Sequence, residues 1–478
     1  MKFSNEIEAF IKDYVNDLTE GAAAVFAGAG MSKSAGFVNW PELLADIATE
    51  LGLSIDKEHD LISLAQYHVN ENNSKAKITK KILQEFSEQA ETSLNHKIIA
   101  RLPINTYWTT NYDTLIEDSL KEANRIADVK HETDQLAVTR PKRDAVVYKM
   151  HGDVNHASKA VITKEQYQAY YKTHEYFITA LSGDLLTKTF LFIGFSFTDP
   201  NLDYVLGRLS INFGKDARDH YCFLKKVVKG KDDDEDIFKY NIRKQELMIN
   251  DLKRYHIKAL VVDDYPVITQ VLEEIENRFK KKTVFISGSA EVYGTWGKDK
   301  SQSYIHLLSK TIISNGFSIV NGFGWGVGSA VINGTLDAIY SKPEKYSQDQ
   351  LVVRPFPQFE TGKKKLPELW EEYRQNMISL AGIIIIVFGN KSKDGDIVLA
   401  NGVKRELDIA ISHGLIPIPL PETGYMAKEI FDEILVEPYK YYKGIDWILP
   451  LIKQLNDSSL TEKESIDVVI DIMQKLNK

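Results

Sequence analysis

The chain predicts an α/β fold of two Rossmann-like, parallel-sheet domains, on three observations. Short apolar runs of strand length recur and end in glycine turns, beginning with Ala22-Ala23-Ala24-Val25-Phe26 before Gly28-Ala29-Gly30. Segments with apolar residues at helical spacing lie between these runs, the alternation that builds parallel sheets. The pattern then restarts after Lys280-Lys281-Lys282, in a chain of 478 residues, enough for two to four domains of roughly 100–200 residues. The division is therefore expected at residues 1–282 and 283–478, with no sequence repeat between the halves.

Taken in order, the amino-terminal segment predicts an amphipathic helix through Ile7, Phe10, Ile11 and Val15. Buried strands are expected at Ala22–Phe26, Thr106–Thr110, Ala145–Met150, Thr189–Ile193 and Ala259–Val262. The stretch from Lys225 to Asp236 carries four lysines and then five consecutive acidic residues, which reads as a solvated loop. Pro266 to Lys282 predicts a helix whose basic last turn suits the negative end of the helix dipole. In the second half, Val284-Phe285-Ile286 runs into Ser287-Gly288-Ser289, Phe317–Val320 into Gly322–Gly328, and Ile383–Val387 into Gly389.

Composition removes several classes of function. With 43% hydrophobic residues the chain fills real cores, which excludes a largely disordered protein. The 59 basic against 67 acidic residues give a net charge of −8, so no broad basic surface for nucleic acid is expected. One cysteine, Cys222, excludes an intrachain disulfide and a Cys-x-x-Cys zinc module, and no metal is expected. The opening MKFSNEIEAFIKDYV interleaves acidic and apolar residues, unlike a signal peptide. The most apolar run, Ala381–Gly389, has nine residues, against about 20 for a membrane-spanning helix. A cytoplasmic protein without membrane contact is expected.

Polar residues gather where the first-half strands end. The loop Ala27-Gly28-Ala29-Gly30-Met31-Ser32 follows the first strand, and Thr109-Thr110-Asn111-Tyr112-Asp113 the second. His151-Gly152-Asp153 and Gly194-Phe195-Ser196-Phe197-Thr198-Asp199 follow two more. Ligands bind at such carboxyl ends in open α/β sheets, and glycines let backbone amides approach a pyrophosphate. In this order the four segments resemble the sirtuin-like family of NAD-consuming enzymes. The resemblance implies that Ala27, Gly28, Ala29, Gly30 and Ser32 cradle NAD, with Asp113 beside the nicotinamide. It implies that Asn111 orders the nicotinamide ribose and attacking water, and that His151 bonds ribose hydroxyls. Gly194, Ser196 and Asp199 would line the adenosine side. The protein-deacylating members carry a four-cysteine zinc module and a Pro-Asp-Phe-Arg-like stretch, where this chain has one cysteine and Gly36-Phe37-Val38-Asn39-Trp40. Water is the expected acceptor, making the activity NAD hydrolysis, with protein deacylation and non-catalytic nucleotide sensing as the alternatives.

The second half, from Val284 to about Leu420, resembles the SLOG family, relatives of the phosphoribohydrolases that process cytokinin nucleotides. Ser287-Gly288-Ser289, the glycine-rich Gly322–Gly328, Arg374-x-x-Met377, Phe388-Gly389 and Lys404-Arg405-Glu406-Leu407 carry the likeness. The hydrolases' Pro-Gly-Gly-x-Gly-Thr is replaced by Phe388-Gly389-Asn390-Lys391 and an insert running to Gly402. A nucleotide pocket without obvious chemistry is expected, built from Gly288, Ser289, Gly322, Gly324, Gly326, Phe388 and Gly389. Arg374 and Lys391 would meet phosphate oxygens and Glu406 the ribose hydroxyls.

This pairing resembles the NAD-degrading effectors of the Thoeris anti-phage defence system. That resemblance implies a bacterial protein whose SLOG domain binds a cyclic ADP-ribose isomer made by a TIR-domain partner. It also implies homo-tetramers or larger assemblies.

Overall fold

The computed structural model describes residues 3–477 apart from 88–89, 198, 214–216, 231–233, 361 and 363. Its contacts divide the chain into two units between Glu276 and Asn277, inside the helix Pro266–Lys280. Among the described residues no helix is long and apolar enough to cross a membrane.

The first unit holds a seven-stranded parallel sheet. Its strands are β1 (Ala23–Ala27), β2 (Thr106–Thr109), β3 (Ala127–Lys130), β4 (Ala145–Lys149), β5 (Thr189–Ile193), β6 (His220–Lys225) and β7 (Ile257–Val262). They lie in the order β3-β4-β2-β1-β5-β6-β7. All of β1 and β5 is buried, because helices cover both faces of a parallel sheet. Val25 sits opposite Tyr107 on one side and Leu191 on the other. The chain builds outward from β1 toward β2, then returns to add β5, so the switch point lies between β1 and β5.

The amino-terminal helix Asn5–Thr19 buries Ile7, Phe10, Ile11 and Val15 as expected, and Ser4 caps it. Three helices, Trp40–Glu50, Leu61–Asn72 and Ala76–Phe86, form a small lobe beside the sheet. Leu43, Ile47, Leu64, Ile78 and Ile82 pack there in a core shared with Tyr112 and Ile162. The charged run Lys225–Asp236, expected as a loop throughout, starts on the last residue of β6, lies partly in 231–233, outside the described residues, and finishes in the helix Glu235–Lys253, whose first turn its acidic residues suit and which the Asp234 side chain caps.

The second unit repeats the strategy with five parallel strands and a hairpin. The strands are β8 (Thr283–Ser289), β9 (Ser318–Asn321), β10 (Leu351–Val353), β11 (Ile383–Phe388), β12 (Asn390–Lys393), β13 (Asp396–Leu399) and β14 (Ile416–Pro419). The sheet order β10-β9-β8-β11-β14 puts the switch point between β8 and β11, while β12 and β13 pair antiparallel. That hairpin is the insert noted in the sequence. Helices Lys298–Ser314 and Gly328–Ser341 cross at Gly334, where an added Cβ would stand 2.1 Å from the carbonyl oxygen of His306. Gly334→Ala should therefore force the helices apart and cost about 1–3 kcal/mol. Denaturant unfolding checks this, an unchanged midpoint being the contrary result.

Candidate functional site

The two turns at the first switch point interlock. Gly28 donates its N–H to Ile193 O and Gly30 to Gly194 O, both at 2.9 Å. Only glycine permits this approach: a Cβ on Gly28 would lie 2.5 Å from Gly194 O. Gly194, at φ +64°, would place its Cβ 2.1 Å from the Met31 nitrogen. The amides of Gly28 and Gly30 are thus bonded within the protein in this state.

Beside this interlock lies a cleft of about 320 Å³, its open mouth included, lined by Ala29, Ser32, Trp40, Phe86, Asn111 and Asp113 among others. Asn111 follows β2 and is fixed on three sides. Its backbone N–H donates to Thr109 Oγ1 at 3.0 Å. Its Nδ2 donates to Gly28 O at 3.1 Å and Ser32 Oγ at 2.9 Å. Ser32 in turn donates to Asp113 Oδ2 at 2.7 Å, so Ser32 Oγ accepts from Asn111 and the amide's orientation is set. The Oδ1 of Asn111 is the end these bonds leave unused.

His151 follows β4 and is only 1% exposed. Asp199 Oδ2 lies 3.1 Å from its Nε2, and Tyr167 Oη 3.3 Å from its Nδ1. Burial pushes the Asp199 carboxyl up, but His151 and the amides of Leu202 and Asn201 outweigh it and hold the carboxyl below its ordinary value. Trp40, on the cleft wall, meets the Tyr167 ring edge-on at 6.4 Å. Asn111 therefore lines the cleft, while His151 is buried against Tyr167.

Lys149, the last residue of β4, ties the two segments together from below. Its fully buried ammonium donates to Tyr112 O at 3.1 Å, Asp113 O at 2.5 Å and Asp153 Oδ2 at 2.5 Å, with Glu117 Oε1 at 3.1 Å. Burial pulls its pKa down, yet Glu117 and Asp153 prevail and raise it. Lys149 and Tyr167 escaped the sequence reading. A lysine ending an otherwise apolar strand was the available sign of the first, and nothing local marked the second.

In the second unit the glycine loop lies on the end of β8. A Cβ on Gly324 would come within 2.1 Å of Gly288 O, and one on Gly326 within 2.0 Å of Ala290 O. Gly288 itself faces Val387 O, where a Cβ would sit at 2.5 Å. Ser289, through its Oγ, donates to Asn390 O at 2.9 Å. A Cβ on Gly322 would meet the Phe356 ring at 2.9 Å. Phe388 and Gly389 leave β11 with φ of +52° and +97°. Beneath, Ser287 Oγ donates to Glu406 Oε2 at 2.5 Å, and Arg374 Nε lies 3.6 Å from Glu406 Oε1. The Arg374 guanidinium stands 5.0 Å over Phe356. Trp325, 72% exposed, stands on the glycine loop, and Lys391 on the outer hairpin. Arg374 and Glu406 are brought together, and Lys391 stands exposed on β12.

Of the remaining expected residues, Ala27 ends β1 and accepts from Thr109 Oγ1, and Ser196 is exposed after β5. Asp199 faces His151 and caps the helix Pro200–Phe213 through the amides of Asn201 and Leu202. Thr198 lies outside the described residues.

Residues 105–244 match the family described as SIR2-like domain, and residues 267–476 the Sir2- and TIR-associating SLOG family. Fold and site thus define a two-domain protein of SIR2-like and SLOG parts, in that order. The chain is 48% identical to NAD(+) hydrolase ThsA of Bacillus cereus strain MSX-D12 over 100% of both chains. It is 44% identical to NAD(+) hydrolase ThsA of Cytobacillus dafuensis, over 98% of this chain and 96% of that one. It is also 44% identical to NAD(+) hydrolase ThsA of Acinetobacter baumannii strain 532279, over 92% of each. This chain belongs to the ThsA family of NAD(+) hydrolases.

Burial raises the Glu406 carboxyl above its ordinary 4.5, against the pull of Ser287 and Arg374. A raised folded value means that the folded state holds the proton more tightly than the unfolded chain. This contribution to stability is complete below the unfolded value and is lost as pH rises through the folded one. Unfolding free energies measured from about pH 4 to about pH 7 should fall more steeply in the parent than in Glu406→Gln. Equal slopes contradict the assignment.

Proposed function

We propose that the amino-terminal domain, residues 1–282, hydrolyses the N-glycosidic bond of NAD to nicotinamide and ADP-ribose, with Asn111 and His151 as its catalytic residues. The observation that carries this reading is the fixed amide of Asn111 in the cleft. With Nδ2 spent on Gly28 O and Ser32 Oγ, Oδ1 is the end left to accept a hydrogen bond from water or a ribose hydroxyl. Nicotinamide leaves as a neutral molecule, so the protein has only to orient the sugar, exclude bulk water and stabilise positive charge at the anomeric carbon. His151 takes the proton from water or hydroxyl, and Asp199 stabilises the imidazolium that results. Since His151 is 1% exposed, turnover requires Tyr167 to move aside and the interlocked glycine amides to release toward the pyrophosphate. The NAD contacts of Ala27, Ala29, Ser32, Asp113, Gly194 and Ser196 belong to that opened state.

The carboxyl-terminal domain, residues 283–478, controls this step by binding a cyclic ADP-ribose isomer from a TIR-domain partner. The protein is a homo-tetramer or larger assembly in the bacterial cytoplasm, where NAD depletion aborts phage infection. Supporting this are the glycine turns at the end of β8, the buried Glu406 facing Arg374 beneath them, and the exposed Trp325, whose ring can stack on a base. Taking an enzyme from 1:99 to 99:1 active requires about 5.5 kcal/mol of differential binding. Charge-assisted bonds of ~1.5–3 kcal/mol each supply this when several form in one state alone.

Nicotinamide release from NAD, followed with and without a panel of cyclic ADP-ribose isomers, tests both halves. One isomer should accelerate release strongly, and no release under any condition overturns the reading. Asn111→Ala should lower the activated rate by about 10²-fold or more while still binding the isomer. Arg374→Ala should lose the response, and a normal response removes Arg374 from the signal site.

A further inference from the structure

A second group of ligating side chains lies outside the lining of the Asn111 cleft. His131 and Glu132 follow β3, and His156 lies in the 3-10 segment Val154–Lys159 that follows the His151 loop. Each offers one ligand atom, and the three atoms lie within 4.8 Å of one another. The His131 and His156 rings are 4.4 Å apart at 25°. The His131 side chain is only 8% exposed, and its Nδ1, 3.6 Å from Glu132 Oε1, is buried without a hydrogen-bond partner. An orphaned buried nitrogen facing a carboxylate and a second imidazole is the mark of a ligand position.

We propose that His131, Glu132 and His156 form a three-ligand site for a divalent cation of the zinc class, with the fourth position open to solvent on the exposed His156 side. Two imidazoles and one carboxylate suit such a cation, whereas magnesium and calcium take oxygen ligands. Ligand distances of about 2.0–2.2 Å require the atoms to close to roughly 3.3 Å, which turns His156 and frees Glu132 from its exposed ion pair with Lys159. One further adjustment is specific. Gln135 Oε1 accepts the backbone N–H groups of His131 and Glu132, so its Nε2 faces the ring and donates to His131 Nε2 at 3.0 Å. A cation on Nδ1 moves the ring proton to Nε2, which then needs an acceptor. The bound ion ties the end of β3 to the segment carrying Asp153, two residues beyond His151.

The expectation of no metal rests on the single cysteine, which excludes thiolate sites only, and on a glycosidic cleavage that needs none at the reacting carbon; neither bears on this cluster. Zinc titration of the tag-free, chelator-treated full chain by calorimetry tests the site. One ion should bind per chain, and magnesium should give no heat. His131→Ala and His156→Ala should each weaken binding at least tenfold. Gln135→Glu, whose carboxylate accepts both the backbone amides and the Nε2–H, should tighten it several-fold. Circular dichroism and the unfolding midpoint establish that each variant is folded, His156 being exposed and the safer substitution. Equal binding by the parent and His156→Ala, no bound zinc, or a Gln135→Glu protein that binds no better overturns the site.

Discussion

Everything in the first unit is arranged around the contact between two turns. β1 and β5 are neighbours that the chain reaches at widely separated times, and the turns leaving them meet through Gly28, Gly30 and Gly194. Three backbone positions there exclude a side chain by 2.1–3.0 Å contacts, so the two turns at the carboxyl ends of β1 and β5 meet chiefly through peptide groups. Peptide hydrogen bonds exchange readily for bonds to another acceptor, because their net worth is only about 0.5–1.5 kcal/mol each. The same amides that close the site are thus suited to a pyrophosphate, and closure costs little to reverse.

Around that contact the polar groups are ordered in tiers. Ser32 and Gly28 orient Asn111, Asp113 orients Ser32, and Lys149 holds the carbonyls of Tyr112 and Asp113 together with Asp153. A buried ammonium with two carboxylates is expensive to break, since loss of one partner strands an unpaired charge at about 3–5 kcal/mol. Such a network fixes the strand ends while leaving Trp40, held by ring contacts, and Tyr167, held by ring contacts and long hydroxyl bonds of 3.3 and 3.5 Å, as the parts that can move. The second unit reuses the glycine approach, with Gly324 and Gly326 laid on the end of β8. Its buried carboxyl, Glu406, accepts a hydrogen bond from Ser287 and faces Arg374 across 3.6 Å.

Much of this was legible because parallel strands bury both faces and so read as continuous apolar runs. Thr189–Ile193 was placed to the residue, and Ile383–Phe388 within one. The strands that escaped notice are mostly edges. β3 and β10 are short and half-buried, and β14 carries Pro417 and Pro419, which an edge strand tolerates. β6, although internal, runs into the charged stretch that masked it. The candidate residues at strand ends were legible for the same reason, since topology brings all such ends to one side. Their partners were not: Tyr167 reaches His151 from a helix, and Lys149 reaches Glu117 across the fold, contacts that no local pattern encodes.

The central claim is that the interlocked turns after β1 and β5 both close and form the proposed NAD cleft. The most direct measurement is a crystal structure of the full chain with a non-hydrolysable NAD analogue. The account predicts the pyrophosphate at the turns after β1 and β5, with the Gly30–Gly194 bond opened. The nicotinamide ribose should lie between Asn111 and a His151 no longer covered by Tyr167. An analogue bound with that interlock intact and His151 still buried, or seated only in the second unit, contradicts it.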